Sequence, residues 1–146
     1  MVKGIFHIGI AVESLEKGLE LYRDTLGFEF EGIEELPDRG MRVAMLRGGG
    51  THIELLESTD SDSVIGRFLS KRGAGVHHLA LQVDDVDSSL SRLKSSGLRL
   101  VDEVGRPGAG GSKVAFLHPR STQGVLLELC EAGPLCETGS STSESH

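Results

Sequence analysis

The segment HIGIAVE, residues 7–13, is followed 71 residues later by the similar segment HLALQVD, residues 78–84. In the first copy, aliphatic residues alternate with small or polar ones, which predicts a β-strand with one face toward a core. Three later stretches repeat in the same order, with the offset slipping to 74 in the last: 15–22 on 86–93, 43–46 on 114–117, and 50–55 on 124–129. Four matched segments in one order indicate an internal duplication.

Each copy predicts the element order βαβββ, so the expected fold class is α+β with two tandem modules, at about residues 4–57 and 75–131. After the first strand, apolar residues recur at the spacing of a helix. Three strands then complete each copy, expected at 28–33, 42–47 and 51–56 in the first and at 98–104, 113–117 and 125–130 in the second.

The modules are expected to form one domain of residues 1–132, joined by a linking helix at about 63–72 that ends at Gly73. The tail of residues 133–146 is rich in Ser, Thr, Gly and Glu and is expected to be disordered.

Composition excludes several classes of partner. The 146 residues carry 15 basic and 22 acidic side chains, with five Phe, one Tyr and no Trp, which argues against non-specific nucleic-acid binding. No apolar run approaches the roughly 18 residues of a membrane helix, and the N-terminus reads as strand rather than as a signal peptide. Cys130 and Cys136 suggest neither a disulfide framework nor a zinc knuckle. We expect a reduced, cytoplasmic protein with a small-molecule ligand.

The duplication places a His on the first strand and a Glu on the last strand of each copy: His7 and Glu54, then His78 and Glu128. Each His shares its strand face with small or polar residues, which predicts a concave surface that holds a ligand. A carboxylate within an apolar strand is costly unless a partner or a metal compensates it. Two His and two Glu suit one divalent cation such as Zn, Ni, Co or Mn. The alternative is two His–Glu pairs that stabilise a sheet edge; their repetition favours the metal.

Other polar residues carry weaker signals. His52 and His77 break the symmetry, and we interpret them as structural or as neighbours of the ligands. The glycine-rich loop of residues 105–113 matches no nucleotide-binding motif and leads into a strand. We interpret it as a loop beside the site, with Arg106, Lys113 and Arg120 available to an anionic ligand; a solvated hairpin loop is the alternative.

These motifs resemble the vicinal oxygen chelate superfamily and, within it, the methylmalonyl-CoA epimerase family, over about residues 5–131. The stretches that carry the resemblance are HIGIAVESLEKGLELYRDTLGF (7–28), IELLE (53–57), GVHHLALQVDDV (75–86) and, most specifically, GAGGSKVAFLHPRSTQGVLLEL (108–129). The resemblance implies paired modules forming an open, cupped mixed sheet around one divalent metal, commonly as a homodimer. It implies His7, His78 and Glu128 as ligands, with the fourth position at Glu54, and a coenzyme A thioester substrate.

The activity so implied interconverts (R)- and (S)-methylmalonyl-CoA by proton transfer through a metal-stabilised enolate. Inversion needs two acid/base groups, and we expect them to be Glu54 and Glu128. Some family members carry a Glu on the strand occupied here by Val43, with Gln at the fourth ligand position, so in this chain the base is either a ligand carboxylate or a residue elsewhere. Gln82, Lys113 and Arg120 are the expected substrate contacts.

Two other functions fit the same fold. A glyoxalase I-type lactoylglutathione lyase also uses a His/Glu/His/Glu metal site, and a non-catalytic small-molecule binding protein has no need of four ligands. The glycine-rich loop and the LHPRS turn, residues 117–121, favour the CoA thioester. A ring-cleaving dioxygenase is less favoured, because it prefers two His and one carboxylate around iron.

Overall fold

The order of one strand, one helix and three strands occurs twice along the chain, which confirms the α+β class and the βαβββ modules. The computed structural model describes residues 1–133, and the expected disorder of the tail falls outside them from residue 134 onward. The elements are β1 (Val2–Ala11), α1 (Leu15–Leu19), β2 (Glu29–Leu36), β3 (Met41–Gly48), β4 (Thr51–Ser58), α2 (Val64–Arg72), β5 (Gly75–Val83), α3 (Val86–Ser95), β6 (Arg106–Pro107), β7 (Lys113–Phe116) and β8 (Leu127–Glu131).

The chain divides into two compact units, and the first comprises His7–His78. Its strands lie in the order β2-β3-β4-β1, with β1 parallel to β4 and the other pairs antiparallel. The register sets Gly9 opposite Glu54. The aliphatic face of β1 packs under α1 as the alternation predicts, in a core formed by Leu15, Leu19, Ala44, Leu46, Ile53 and Leu55 with Ile8, Ile10 and Val12 against it.

The second unit comprises Met1–Phe6 and the residues from Leu79 onward. Its strands lie in the order β5-β8-β7-β6, with β5 parallel to β8, so it repeats the pairing of first strand with last strand. The register sets Ala80 opposite Glu128. Its main core contains Val83, Val86, Leu90, Ala115, Leu117 and Leu129.

The expected strand at 98–104 is wrong. That stretch contributes only an isolated bridge between Leu100 and Leu117, and the strand in its place is the two-residue β6. The reason lies at Asp102, whose carboxylate accepts the N–H of Phe116 at 2.8 Å. The N–H groups of Val101 and Asp102 both donate to the carbonyl of Phe116, so a regular ladder cannot form there.

The first helix is shorter than its apolar spacing predicts. After Leu19 the chain continues as a π-helical turn, Glu20–Thr25, and Leu26, the last of the residues whose helical spacing predicts this helix (Leu15, Leu19, Tyr22 and Leu26), is 56% exposed. The linking helix α2 lies where it was expected, capped by the Ser63 hydroxyl and ended at Gly73 with φ +74°. The limits of the domain stay a prediction. Within residues 1–133, no helix combines the length and apolar character needed to cross a bilayer.

The last strand of each module carries, at or next to its final residue, a glutamate that braces the helix of the same module. Glu57 Oε2 accepts the N–H of Leu15 at 2.7 Å, and Glu131 Oε1 accepts the N–H of Val86 at 3.1 Å. Both N–H groups belong to the first residue of a helix, where backbone donors lack partners and negative charge is favoured. The two glutamates match at the 74-residue offset, so the sequence contained a signal for this pair.

We expect Glu57→Gln to lower the free energy of unfolding by about 1 kcal/mol and Glu57→Ala by about 2 kcal/mol, because a capping acceptor at a helix start is weakened or removed. Urea unfolding followed by circular dichroism measures both. The exposed Glu20→Gln is the control and should change stability by less than about 0.5 kcal/mol. Stability changes at Glu57 no larger than that of the control would contradict the bracing role.

Candidate metal centre

His7, Glu54 and His78 converge in the first unit, from β1, β4 and β5 respectively. All three are buried, and one ligand atom from each lies within 4.8 Å of the other two. The Nε2 atoms of the two imidazoles are 2.9 Å apart. Glu54 places Oε2 at 3.7 Å from His7 Nε2 and Oε1 at 4.0 Å from His78 Nε2. Both ring nitrogens therefore face the same carboxylate.

A glycine makes room for this cluster. Gly9 is two residues after His7 on β1 and in register with Glu54. The imidazole of His78 lies directly against its Cα: a Cβ there would be 2.2 Å from Cε1 and 2.6 Å from Nε2 of that ring. Since real Cβ contacts this short do not occur, the position of the His78 ring depends on Gly9.

The second nitrogen of the His78 ring is also engaged. Its Nδ1 lies 3.0 Å from Nδ1 of His77. Burial lowers the pKa of His78 well below its usual value, and the charges of His7, His77 and Arg39 lower it further. Burial also lowers the pKa of His77. The neutral imidazole is the form that coordinates a metal.

His7, Glu54 and His78 could therefore hold a divalent cation: the donor atoms converge, they are buried, and a glycine leaves space for one of the rings. The donor set of two imidazoles and a carboxylate suits Zn, Co, Ni or Mn and equally Fe(II), so it does not decide the metal.

Glu128, the fourth ligand expected from the sequence, lies on β8 in the second unit and is buried. It stands opposite Ala80 on β5 and Phe116 on β7. Glu54 stands opposite Gly9, and Gly9 and Ala80 are equivalent in the duplication. The two glutamates thus occupy the same register position in their modules.

The three expected substrate contacts differ in burial and in the partners they already have. Gln82 is half-buried on β5, opposite Cys130, while Arg120 is exposed in a 3-10 turn after β7. The ammonium of Lys113 binds the carboxylate of Asp87, which also accepts the N–H of Gly105 at 2.7 Å. Lys113 therefore closes the base of the glycine-rich loop.

Two further polar contacts were not expected from the sequence. His52 lies opposite His7 in the register, and its Nε2 is 3.1 Å from Oε1 of Glu31. The guanidinium of Arg106 lies over the ring of Phe116, 5.7 Å from its centroid. Neither pair has a signature in the linear sequence, because each is made across strands or across a loop.

The chain belongs to the Glyoxalase/Bleomycin resistance protein/Dioxygenase superfamily, whose family model matches residues 6–116. Within it, the chain is similar to the mitochondrial methylmalonyl-CoA epimerase of Mus musculus, 39% identical over 127 residues that cover 86% of this chain and 71% of the relative.

Solved structures give the same result. The Mycobacterium tuberculosis methylmalonyl-CoA epimerase is 42% identical with a TM-score of 0.87, covering 94% of this chain and 93% of that chain. A methylmalonyl-CoA epimerase in complex with methylmalonyl-CoA and NH4+ is 39% identical with a TM-score of 0.87, covering 92% of this chain and 98% of that chain. The fold and family implied by the sequence motifs are confirmed.

Proposed function

We propose that this protein is an isomerase that interconverts (R)- and (S)-methylmalonyl-CoA. The observation that carries the proposal is the buried cluster of His7, Glu54 and His78 in a chain about 40% identical, over nearly its whole length, to methylmalonyl-CoA epimerases. One of those relatives was solved with methylmalonyl-CoA bound. The substrate is accordingly a CoA thioester.

The cofactor that this site would hold is one divalent metal ion, Co, Zn, Ni or Mn; His7, Glu54 and His78 would be its ligands, with Glu128 as the fourth. A cation there supplies Lewis-acid polarisation of the thioester carbonyl, which acidifies the α-proton. The two imidazoles act only as neutral ligands, and burial lowers the pKa of His78 so that it stays in that form.

Glu54 and Glu128 are the two acid/base groups. Inversion at carbon requires one carboxylate to remove the α-proton and another to return a proton to the opposite face. Their equivalence in the duplication supports the pairing. Val43, which takes the place of a glutamate found in some family members, is only 2% exposed and pairs with Leu56, so β3 offers no carboxylate there.

Gln82, Lys113 and Arg120 contact the substrate, and Lys113 also fixes the glycine-rich loop through Asp87. All three lie in the second unit, with Gln82 half-buried on β5 and Arg120 exposed in a turn. The cytoplasmic location and the homodimeric state stay predictions.

Proton NMR of methylmalonyl-CoA in D2O tests the activity. The purified protein should replace the α-proton of both epimers with deuterium, far faster than the spontaneous exchange measured without protein. Removal of divalent metal by a chelator should abolish the exchange, and added Co²⁺ should restore it.

Full activity of metal-free protein would refute the mechanism. Absence of α-exchange together with turnover of a glutathione hemithioacetal would instead assign the site to a glyoxalase I-type lyase.

A further inference from the structure

The imidazole of His78 lies between two others. Its Nε2 faces His7 Nε2 at 2.9 Å, and its Nδ1 faces His77 Nδ1 at 3.0 Å. The His78 and His77 rings are perpendicular, with an interplanar angle of 90° and centroids 5.2 Å apart. Both nitrogens of the His78 ring therefore have a contact: Nε2 faces the cluster of candidate ligands, and Nδ1 faces away from it.

Imidazole chemistry restricts how the protons can be arranged. A neutral imidazole carries one N–H and one lone pair, on different nitrogens. If His78 is to offer its Nε2 lone pair beside Glu54, its proton must be on Nδ1. That proton then points at His77, which must receive it with a lone pair on its own Nδ1. Only one assignment of the two tautomers satisfies both the hydrogen bond and coordination through Nε2.

The orientation of His77 is itself fixed by packing. The ring of Phe68, on α2, meets the His77 ring edge to face, with centroids 5.0 Å apart and an interplanar angle of 87°. The guanidinium of Arg72, one turn further along α2, lies 5.7 Å from the centroid of the Phe68 ring. The acceptor nitrogen of His77 is thus held in place from the helix side.

We propose that His77 is a positioning residue that fixes His78 in the Nδ1–H tautomer and so presents the Nε2 lone pair to the cation. Metal-ligating histidines generally donate their other N–H to a carboxylate, a carbonyl or water, and here a second histidine takes that place. The inference rests on the metal site of the proposed function.

Two variants of His77 separate the hydrogen bond from packing. In Asn, Oδ1 occupies the place of Nδ1 and still accepts, so His77→Asn should keep the His78 tautomer. In Leu, a methyl group that cannot accept a hydrogen bond occupies the place of Nδ1, so His78 in His77→Leu should no longer be held in the Nδ1–H tautomer. Long-range ¹H–¹⁵N spectra of the metal-free proteins at one fixed pH report the tautomer directly. Competition titration with Co²⁺ reports affinity, which we expect to fall by about 10- to 100-fold in His77→Leu and by less than about 3-fold in His77→Asn.

The two readouts keep this inference distinct from the proposed function. An Nε2–H tautomer of His78 in the wild-type protein, or equal Co²⁺ affinity of His77→Leu and wild type, overturns the positioning role. A wild-type protein with the Nδ1–H tautomer that binds no Co²⁺ refutes the metal function and leaves the hydrogen bond to His77 supported. Thermal unfolding of both variants shows whether a loss of affinity reflects loss of fold.

Discussion

The Glu54→Gln protein should lose epimerisation of methylmalonyl-CoA by about 10²- to 10⁴-fold, the usual contribution of one general acid/base group. An amide has nearly the shape of the carboxylate and can still offer an oxygen to the cation, but it cannot accept a proton at neutral pH. Some family members carry Gln at this ligand position, so Co²⁺ affinity should fall much less than the rate. A loss of epimerisation rate that greatly exceeds the loss of Co²⁺ affinity shows that Glu54 transfers a proton as well as binding the cation.

The same variant should show a stereochemical signature. With one base removed, the α-proton of only one epimer is still abstracted at a high rate, so in D2O a single epimer exchanges much faster than the two epimers interconvert. Glu128→Gln should exchange the opposite epimer. Two variants that exchange the same epimer, or a Glu54→Gln protein with full activity, would contradict the assignment of the two carboxylates.

A carboxylate introduced at Val43 should partly replace the one removed in Glu54→Gln. The Val43→Glu change moves a carboxylate to β3, where some family members have one, and Val43 is two residues from Met45, the partner of Glu54 in the register. In the Glu54→Gln background it should restore part of the lost rate. Because Val43 is buried, the double variant needs a folding control by circular dichroism.

The Gly9→Ala protein should bind Co²⁺ at least about 100-fold more weakly than the wild type, the upper end of the losses seen when the support of a metal ligand is changed. The added methyl would occupy the space of the His78 ring, 2.2 Å from Cε1, so the ring must turn away from His7 and Glu54. Titration with Co²⁺, followed by its visible absorption, measures the loss.

Gly4→Ala is the matched control, because Gly4 lies on the same strand and a Cβ there meets nothing within 4 Å. It should bind Co²⁺ as the wild type does. A Gly9→Ala protein that also binds normally would show that the His78 ring can relocate without cost, and the close approach would then have no role in the site.

Much of the site could be predicted because the duplication repeats one pattern, a His on the first strand and a Glu on the last strand of each copy. A repeated strand pattern gives the modules, and the alternation along β1 sets His7 and Gly9 on the face opposite Ile8 and Ile10. Convergence of His7, Glu54 and His78 then depends only on which strands are neighbours. The pairing of β1 with β4 and the approach of His78 to His7 are tertiary properties that local periodicity does not encode.

The remaining differences arise where side chains compete with the backbone or with the expected ligand. Asp102 takes the N–H of Phe116 and so prevents the strand expected at 98–104. Asp87 binds the ammonium of Lys113, a pairing that the sequence does not reveal, and the expected contact of Lys113 with a substrate stays a prediction. His77 looks like an incidental neighbour of His78 in the sequence, and only the 3.0 Å contact between their rings shows that they form a pair.

Two glutamates on β4 have different roles: Glu54 belongs to the candidate metal site, and Glu57 holds the start of α1. Glu54 and Glu57 are three residues apart, and because strand side chains alternate, they emerge on opposite faces of the sheet. One face carries the cluster of His7, Glu54 and His78, and the other anchors α1. Glu128 and Glu131 have the same spacing on β8, where Glu131 anchors α3. Substitutions on the two faces should therefore have additive effects. Such a scaffold can acquire a new reaction through mutations on one face while its stability is maintained by the other.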